Sequence, residues 1–140
     1  MSATSYDLGM KRLVVVLSML GVATFAGAGP AGAEPAEQGC AVNLSAPRVV
    51  EQFGVSTVTA SVSPGECHRA APMLQVACLQ RVGGQSAPLC AQTEGPGAAV
   101  VNLSPHTPGT GYVVTGRVCA NAGSPPVTYC QAVGPTTVTL

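Results

Sequence analysis

Two stretches of this chain bring together side chains able to do chemistry. In "VNLSPHTPGTGYVV", residues 101–114, Ser104 stands two residues from His106, the residue types of a nucleophile and its general base. In Cys67-His68 a thiol adjoins an imidazole, the makings of a thiol nucleophile or part of a metal site. Neither pair gains a third member. Side chains two apart in a segment rich in proline and glycine splay, and no aspartate follows Asp7 to orient a histidine. Glutamate can also orient one, but none lies near His106 in sequence. Ser104 therefore reads as a turn residue whose hydroxyl caps local backbone amides. Glu51, Glu66 and Glu94 are too scattered to form paired carboxylates. No Cys-x-x-Cys spacing occurs, so no zinc site is expected. The expectation is a non-enzyme, with no catalytic, cofactor-binding or metal-ligating residues.

The cysteines, at 40, 67, 78, 90, 119 and 130, are six in number, and an even count in a short exported chain reads as a disulfide framework. "CLQRVGGQSAPLC" centres on Gly83-Gly84, and a three-residue hairpin loop from Gly83 to Gln85 sets Cys78 opposite Cys90. "CANAGSPPVTYC" folds about Ser124-Pro125 and sets Cys119 opposite Cys130. Cys40 and Cys67 remain, a pair that ties the amino-terminal segment to the end of the next strand. Such a bond removes the thiol that chemistry at Cys67-His68 requires.

Export is read from residues 1–33. Lys11 and Arg12 precede the apolar run 13–26, and small residues lead to Ala31-Gly32-Ala33, the order of a helical secretory signal cut between Ala33 and Glu34. Met10 makes a better start than Met1, because it leaves Asp7 out of the positive end. The apolar run falls short of the roughly 20 residues that span a bilayer, so no membrane span is expected after cleavage. Cys40 lies beyond this run, after Glu37-Gln38-Gly39, and reads as a disulfide partner and not a lipidated cysteine. Residues 34–140 then form a single domain, large enough to bury about two-thirds of its unfolded surface.

From Glu34 onward four arginines face five glutamates, with no lysine or aspartate, a net charge of −1 with His68 and His106 neutral. Nothing basic is available to neutralise phosphates, which excludes a nucleic-acid partner. The chain has no isoleucine or tryptophan and abundant valine, alanine, glycine and proline, the codon usage of a GC-rich genome. With the signal, this describes a bacterial exported protein, secreted or held at the cell envelope. Asn43-Leu44-Ser45 and Asn102-Leu103-Ser104 would in that host carry no glycan.

The elements that would position these residues alternate as strands do. In "VSTVTASV", Val58, Ala60 and Val62 point one way and Thr57, Thr59 and Ser61 the other. Leu74, Val76, Cys78 and Val82 continue the pattern as the apolar face of the next strand. Val101 and Leu103, then Tyr112, Val114 and Val118, then Val138 and Leu140 supply further faces, separated by Gly/Pro/Ser clusters. Alanine in "ECHRAAPMLQVACLQ" favours a helix, but Pro72 interrupts it. The sum is an all-β, antiparallel sandwich of seven or eight strands with three disulfides. Pro135, which cannot donate to a ladder, belongs at a bulge or edge of the last strand.

"LSPHTPGTGYVVTGRV" resembles the corner between sheets in fibronectin type III and related immunoglobulin-like domains, with Leu103, Pro108, Gly109, Thr110, Tyr112 and Val114 matching its pattern. The resemblance implies an Ig-like sandwich in which Leu103 closes one strand, Pro108-Gly109 turns the chain, and Tyr112 opens the next with its hydroxyl bonded back to the turn, buried, while His106 stays exposed. An insertion between Leu103 and Pro108, the missing tryptophan and the six cysteines depart from that family. Size, low charge and the two hairpins "VACLQRVGGQSAPLCAQ" and "RVCANAGSPPVTYCQAVG" are also similar to the neocarzinostatin-type chromoproteins, exported actinobacterial Ig-like sandwiches. That likeness implies a small apolar ligand in a cleft near the hairpins.

Three functions follow as expectations. The first is a non-catalytic binding or envelope module that meets an unknown protein partner through its rigid hairpins, around Arg81-Val82-Gly83-Gly84 and residues 121–127. The second is a carrier of a small apolar ligand. The third is a protease inhibitor presenting Ala71-Pro72-Met73-Leu74 as a braced loop. An inhibitor requires that loop convex, a carrier requires a concave apolar cleft of some hundreds of Å³, and a featureless surface favours the first.

Overall fold

The computed structural model describes residues 38–140. The secretory signal, the start at Met10 and the cut at Ala33-Glu34 lie outside the described residues. Within them the chain forms eight strands and no helix: β1 (Gly39–Leu44), β2 (Arg48–Gln52), β3 (Val55–His68), β4 (Ala70–Arg81), β5 (Leu89–Glu94), β6 (Ala99–Leu103), β7 (Gly111–Ala122) and β8 (Val127–Thr139). Every pairing is antiparallel. One sheet is built on β3, with β1 and β2 end to end along one edge and β6 along the other; the second runs β5-β4-β7-β8.

Local chemistry explains the joints. Pro47 cannot donate to the ladder, so the edge along β3 breaks between β1 and β2. Ser45 spans the break: its N–H donates to the Ser61 carbonyl at 2.9 Å, and its hydroxyl accepts the Ser61 N–H at 2.8 Å. β2 turns into β3 through Phe53-Gly54, both left-handed at φ 52° and 76°, as a two-residue hairpin of this twist demands. Phe53 stands wholly in solvent. Between β3 and β4 there is no loop at all: Arg69, at φ 49°, alone carries the chain from one sheet to the other.

The core between the sheets is made of small and medium side chains. Val58, Ala60 and Val62 of β3, with Ala99 and Val101 of β6, pack against Ala77 and Leu79 of β4 and Tyr112, Val114, Val118 and Ala120 of β7. Spacing is tightest at Gly116, where a Cβ would come within 2.3 Å of Val62 Cγ2. Its neighbours in register, Ala77 and, beyond it, Ala91, are correspondingly small. A core this lean gains from covalent support, and three disulfides supply it.

The bridges join Cys40 to Cys67, Cys78 to Cys90 and Cys119 to Cys130, the last two as the hairpin spacing predicts and the first as the pair that remains. Each links residues directly opposite on neighbouring strands. The first hairpin loop is longer than the three residues expected. Its two strands separate after Leu79 and Leu89, because Gln80 and Arg81 stay bonded to Val113 and Tyr112 of β7. The Gln80 amide reaches back across the loop to the Ser86 carbonyl at 2.9 Å.

Two expectations about strand faces change. Thr57 and Thr59, read as solvent-facing, are buried; at Thr57 the 104–112 segment lies against β3, and the Thr57 hydroxyl shares a hydrogen bond with that of Ser104. On β4 the phase is reversed: Gln75, Ala77 and Leu79 point inward, and Leu74, Val76 and Cys78 point outward. The narrow gap at Gly116 accepts Ala77 but has no room for a larger side chain in that row. Fitting Ala77 there carries Gln75 into the core, where neither amide atom has a partner within the chain, a cost of about 1–3 kcal/mol.

Candidate functional site

The segment 104–112, where sequence places Ser104 and His106, is a corner that pairs most of its polar groups internally but leaves His106 Nε2 and Arg81 Nε buried without a partner. β6 ends at Leu103, and the Ser104 hydroxyl then shares a hydrogen bond with that of Thr57, not with His106. The His106 N–H donates to the Ser56 carbonyl at 2.8 Å. Pro108-Gly109 turns the chain, with Gly109 at φ 74° and the Thr110 N–H returning to the Thr107 carbonyl. Tyr112 is fully buried, and its hydroxyl accepts the Thr107 N–H at 2.9 Å. Arg81, opposite Tyr112 in register, bonds the Pro105 carbonyl. His106 departs from expectation: it is half-buried, its ring 6.2 Å from that of Tyr112, because its backbone is pinned to β3 beneath it.

These bonds act on the phenol. Burial alone would raise the pKa of Tyr112, but the Thr107 N–H and the Arg81 guanidinium both favour the phenolate, and the net effect is a value below the ordinary 10.0. Near Cys67 the chemistry is simpler. Its sulfur is bonded to Cys40, and His68 sits exposed at the end of β3, 3.9 Å from the Glu66 carboxylate.

A different surface is left unspent. In a two-layer fold the outer face of each sheet meets water and is ordinarily polar. On the β5-β4-β7-β8 sheet that face carries Leu74, Val76, the Cys78–Cys90 bridge and the Cys119–Cys130 bridge in adjacent rows. Beside Val76 and Cys78 lies a cleft of about 310 Å³, completed by Thr115 and Arg117 of β7 and by Ala132, Val133 and Gly134 of β8.

A β-bulge shapes its far wall. Val114 pairs with Thr136 and Gly116 with Val133, so the single residue Thr115 stands against Gly134 and Pro135. This is the bulge or edge expected of Pro135, and such an insertion bends its strand. Gly134, at φ 90°, is required there, since a Cβ would lie 2.8 Å from the Val114 carbonyl oxygen. A second, more open depression of about 570 Å³ continues the face past Leu74, with Pro72, Met73, Glu94 and Asn121 along it.

The 71–74 segment is therefore not a braced convex loop. It belongs to β4, which is bulged between Pro72 and Leu74, and it lines a depression.

Sequence reasoning missed Val76, Thr115, Arg117 and Ala132 as a group. One signal was available: "LQVACL", residues 74–79, has apolar residues in both phases of the alternation, although a strand with one wet face needs only one. Comparison with known proteins returns no matching family model, no matching curated protein and no matching solved structure.

Proposed function

We propose that this protein is an exported, non-catalytic immunoglobulin-like sandwich that binds a small apolar molecule in the cleft beside Val76 and Cys78. The observation that carries the reading is the reversed phase of β4, which turns Val76 and Cys78 out to a cleft of about 310 Å³ and Leu74 to the depression beside it. These side chains are only half-buried, on a face that is ordinarily polar, and further cover by an apolar molecule would remove the rest of their surface from water. The volume is at the lower end of small-molecule sites.

Other features agree. The order β5-β4-β7-β8 against β3 and its neighbours, with a buried corner tyrosine, supports the immunoglobulin-like class. Three disulfides and a signal-like amino terminus support export to an oxidising compartment. The resemblance to the chromoproteins implies a ligand near the same two hairpins. A non-catalytic role is supported by the corner, whose Ser104 hydroxyl is engaged by Thr57, and by the bonding of all six cysteines. The concave face and the position of residues 71–74 within a strand favour a carrier over an inhibitor.

Native mass spectrometry of the protein purified from the medium of its producing cell tests the reading. A non-covalent adduct of a few hundred daltons, released by organic solvent, is the expected result. A bare polypeptide mass that also takes up no apolar fluorescent probe would overturn it.

A further inference from the structure

We infer that the ligand of this cleft is an anionic amphiphile, with an apolar body against Val76, Cys78 and Ala132 and an acidic group held by Arg117. The inference rests on reading the cleft as a small-molecule site. Arg117 is the one ionisable side chain lining it. It sits in mid-strand on β7, opposite Val76 on one side and Ala132 on the other, so its cationic head emerges from an apolar strip.

Nothing in the fold uses that charge. The only ion pair among the described residues is His68 with Glu66. Glu94 belongs to the neighbouring depression and does not meet Arg117. Arg81, by contrast, is engaged at the corner through the Pro105 carbonyl. A guanidinium on an apolar wall offers a planar fork of donors to a carboxylate or sulfonate, and the apolar surroundings strengthen that bond relative to open water. Thr115, two residues earlier on the same face of β7, adds a hydroxyl donor beside it. A single arginine suits one acidic group on a small molecule; a polyanion would need a basic surface that this chain lacks.

The test uses two probes with the same aromatic skeleton, anilinonaphthalene sulfonate and the uncharged phenylnaphthylamine, titrated by fluorescence into the full secreted protein at low salt. The sulfonate should bind about tenfold more tightly than the neutral probe, equivalent to about 1.4 kcal/mol. Arg117→Gln should bring the sulfonate to parity and leave the neutral probe unchanged. Arg48→Gln, on the other sheet, should alter neither, and Ala132→Trp, which fills the cleft, should abolish both.

Equal binding of the two probes to the wild type, or a sulfonate preference that survives Arg117→Gln, overturns the inference while leaving the apolar cleft standing. Equal weakening of both probes by Arg117→Gln makes the guanidinium a stacking surface and also overturns it. Failure of both probes to bind removes the cleft reading itself, and the inference with it.

Discussion

The corner at 104–112 and the outer face of the β5-β4-β7-β8 sheet are opposites in how they use their side chains. The corner holds the residues that look reactive, and except for the His106 ring, whose Nε2 has no partner, it spends them internally: Ser104 on Thr57, Tyr112 on Thr107, Arg81 on Pro105. The outer face holds residues that look like ordinary core, and it leaves them half-buried: Leu74, Val76 and Cys78, with an arginine that no carboxylate meets. Reactive residue types that satisfy one another are architecture. Core residue types with nothing against them are the better pointer to a partner.

This contrast can be broken from either side. The largest effect is expected at the corner, where Tyr112→Ala removes a fully buried ring; urea denaturation should show a loss of about 3–5 kcal/mol. Replacing Cys78 and Cys90 together by alanine should cost about 2–4 kcal/mol through the freed unfolded chain, and, because Cys78 lines the cleft, it should weaken binding of the neutral probe as well. One variant thus disturbs the fold alone, the other both fold and site.

Tyr112→Phe keeps the ring and deletes the hydroxyl, at a cost of about 1 kcal/mol near neutral pH. It also carries a pH signature. Because the folded-state pKa lies below 10.0, the folded protein releases this proton before the unfolded chain does, so the wild type gains stability over the variant as pH rises through that alkaline window. The gain is complete above the unfolded value and lost as pH falls through the folded one. Denaturation of both proteins at neutral pH and near pH 10 reads the difference; a constant gap would show that the phenol's environment does not favour its anion. The smallest effect on stability belongs to Val76→Ser, within about 0.5 kcal/mol on an outward-facing position. The same substitution should weaken neutral-probe binding by about 1 kcal/mol through lost apolar contact, which a fluorescence titration resolves.

What was legible in the sequence was local. Hairpin signals place Cys78 opposite Cys90 and Cys119 opposite Cys130 because the turn and its cysteines lie within a dozen residues. The Pro108-Gly109 turn and the bond from Tyr112 to Thr107 span only a few residues and are written in one continuous stretch. The phase of β4 was not legible, since the choice between Gln75 and Val76 as the inward residue is decided by Gly116 and Val62, which reach Ala77 only through the fold. The half-burial of His106 depends likewise on Ser56, 50 residues earlier. Pro135 announced a bulge, but that its wall would face Val76 and Cys78 required two intervening registers, β4 to β7 and β7 to β8.

The three bridges join the cysteines first to second, third to fourth and fifth to sixth, and no loop that they close contains another cysteine. Were the chain delivered amino terminus first into an oxidising compartment, as the proposed export requires, each odd-numbered cysteine would meet its partner as the next one to emerge. First-come oxidation would then yield the native connectivity, and the order of delivery would do the work that a disulfide isomerase performs for proteins with crossed or nested bonds.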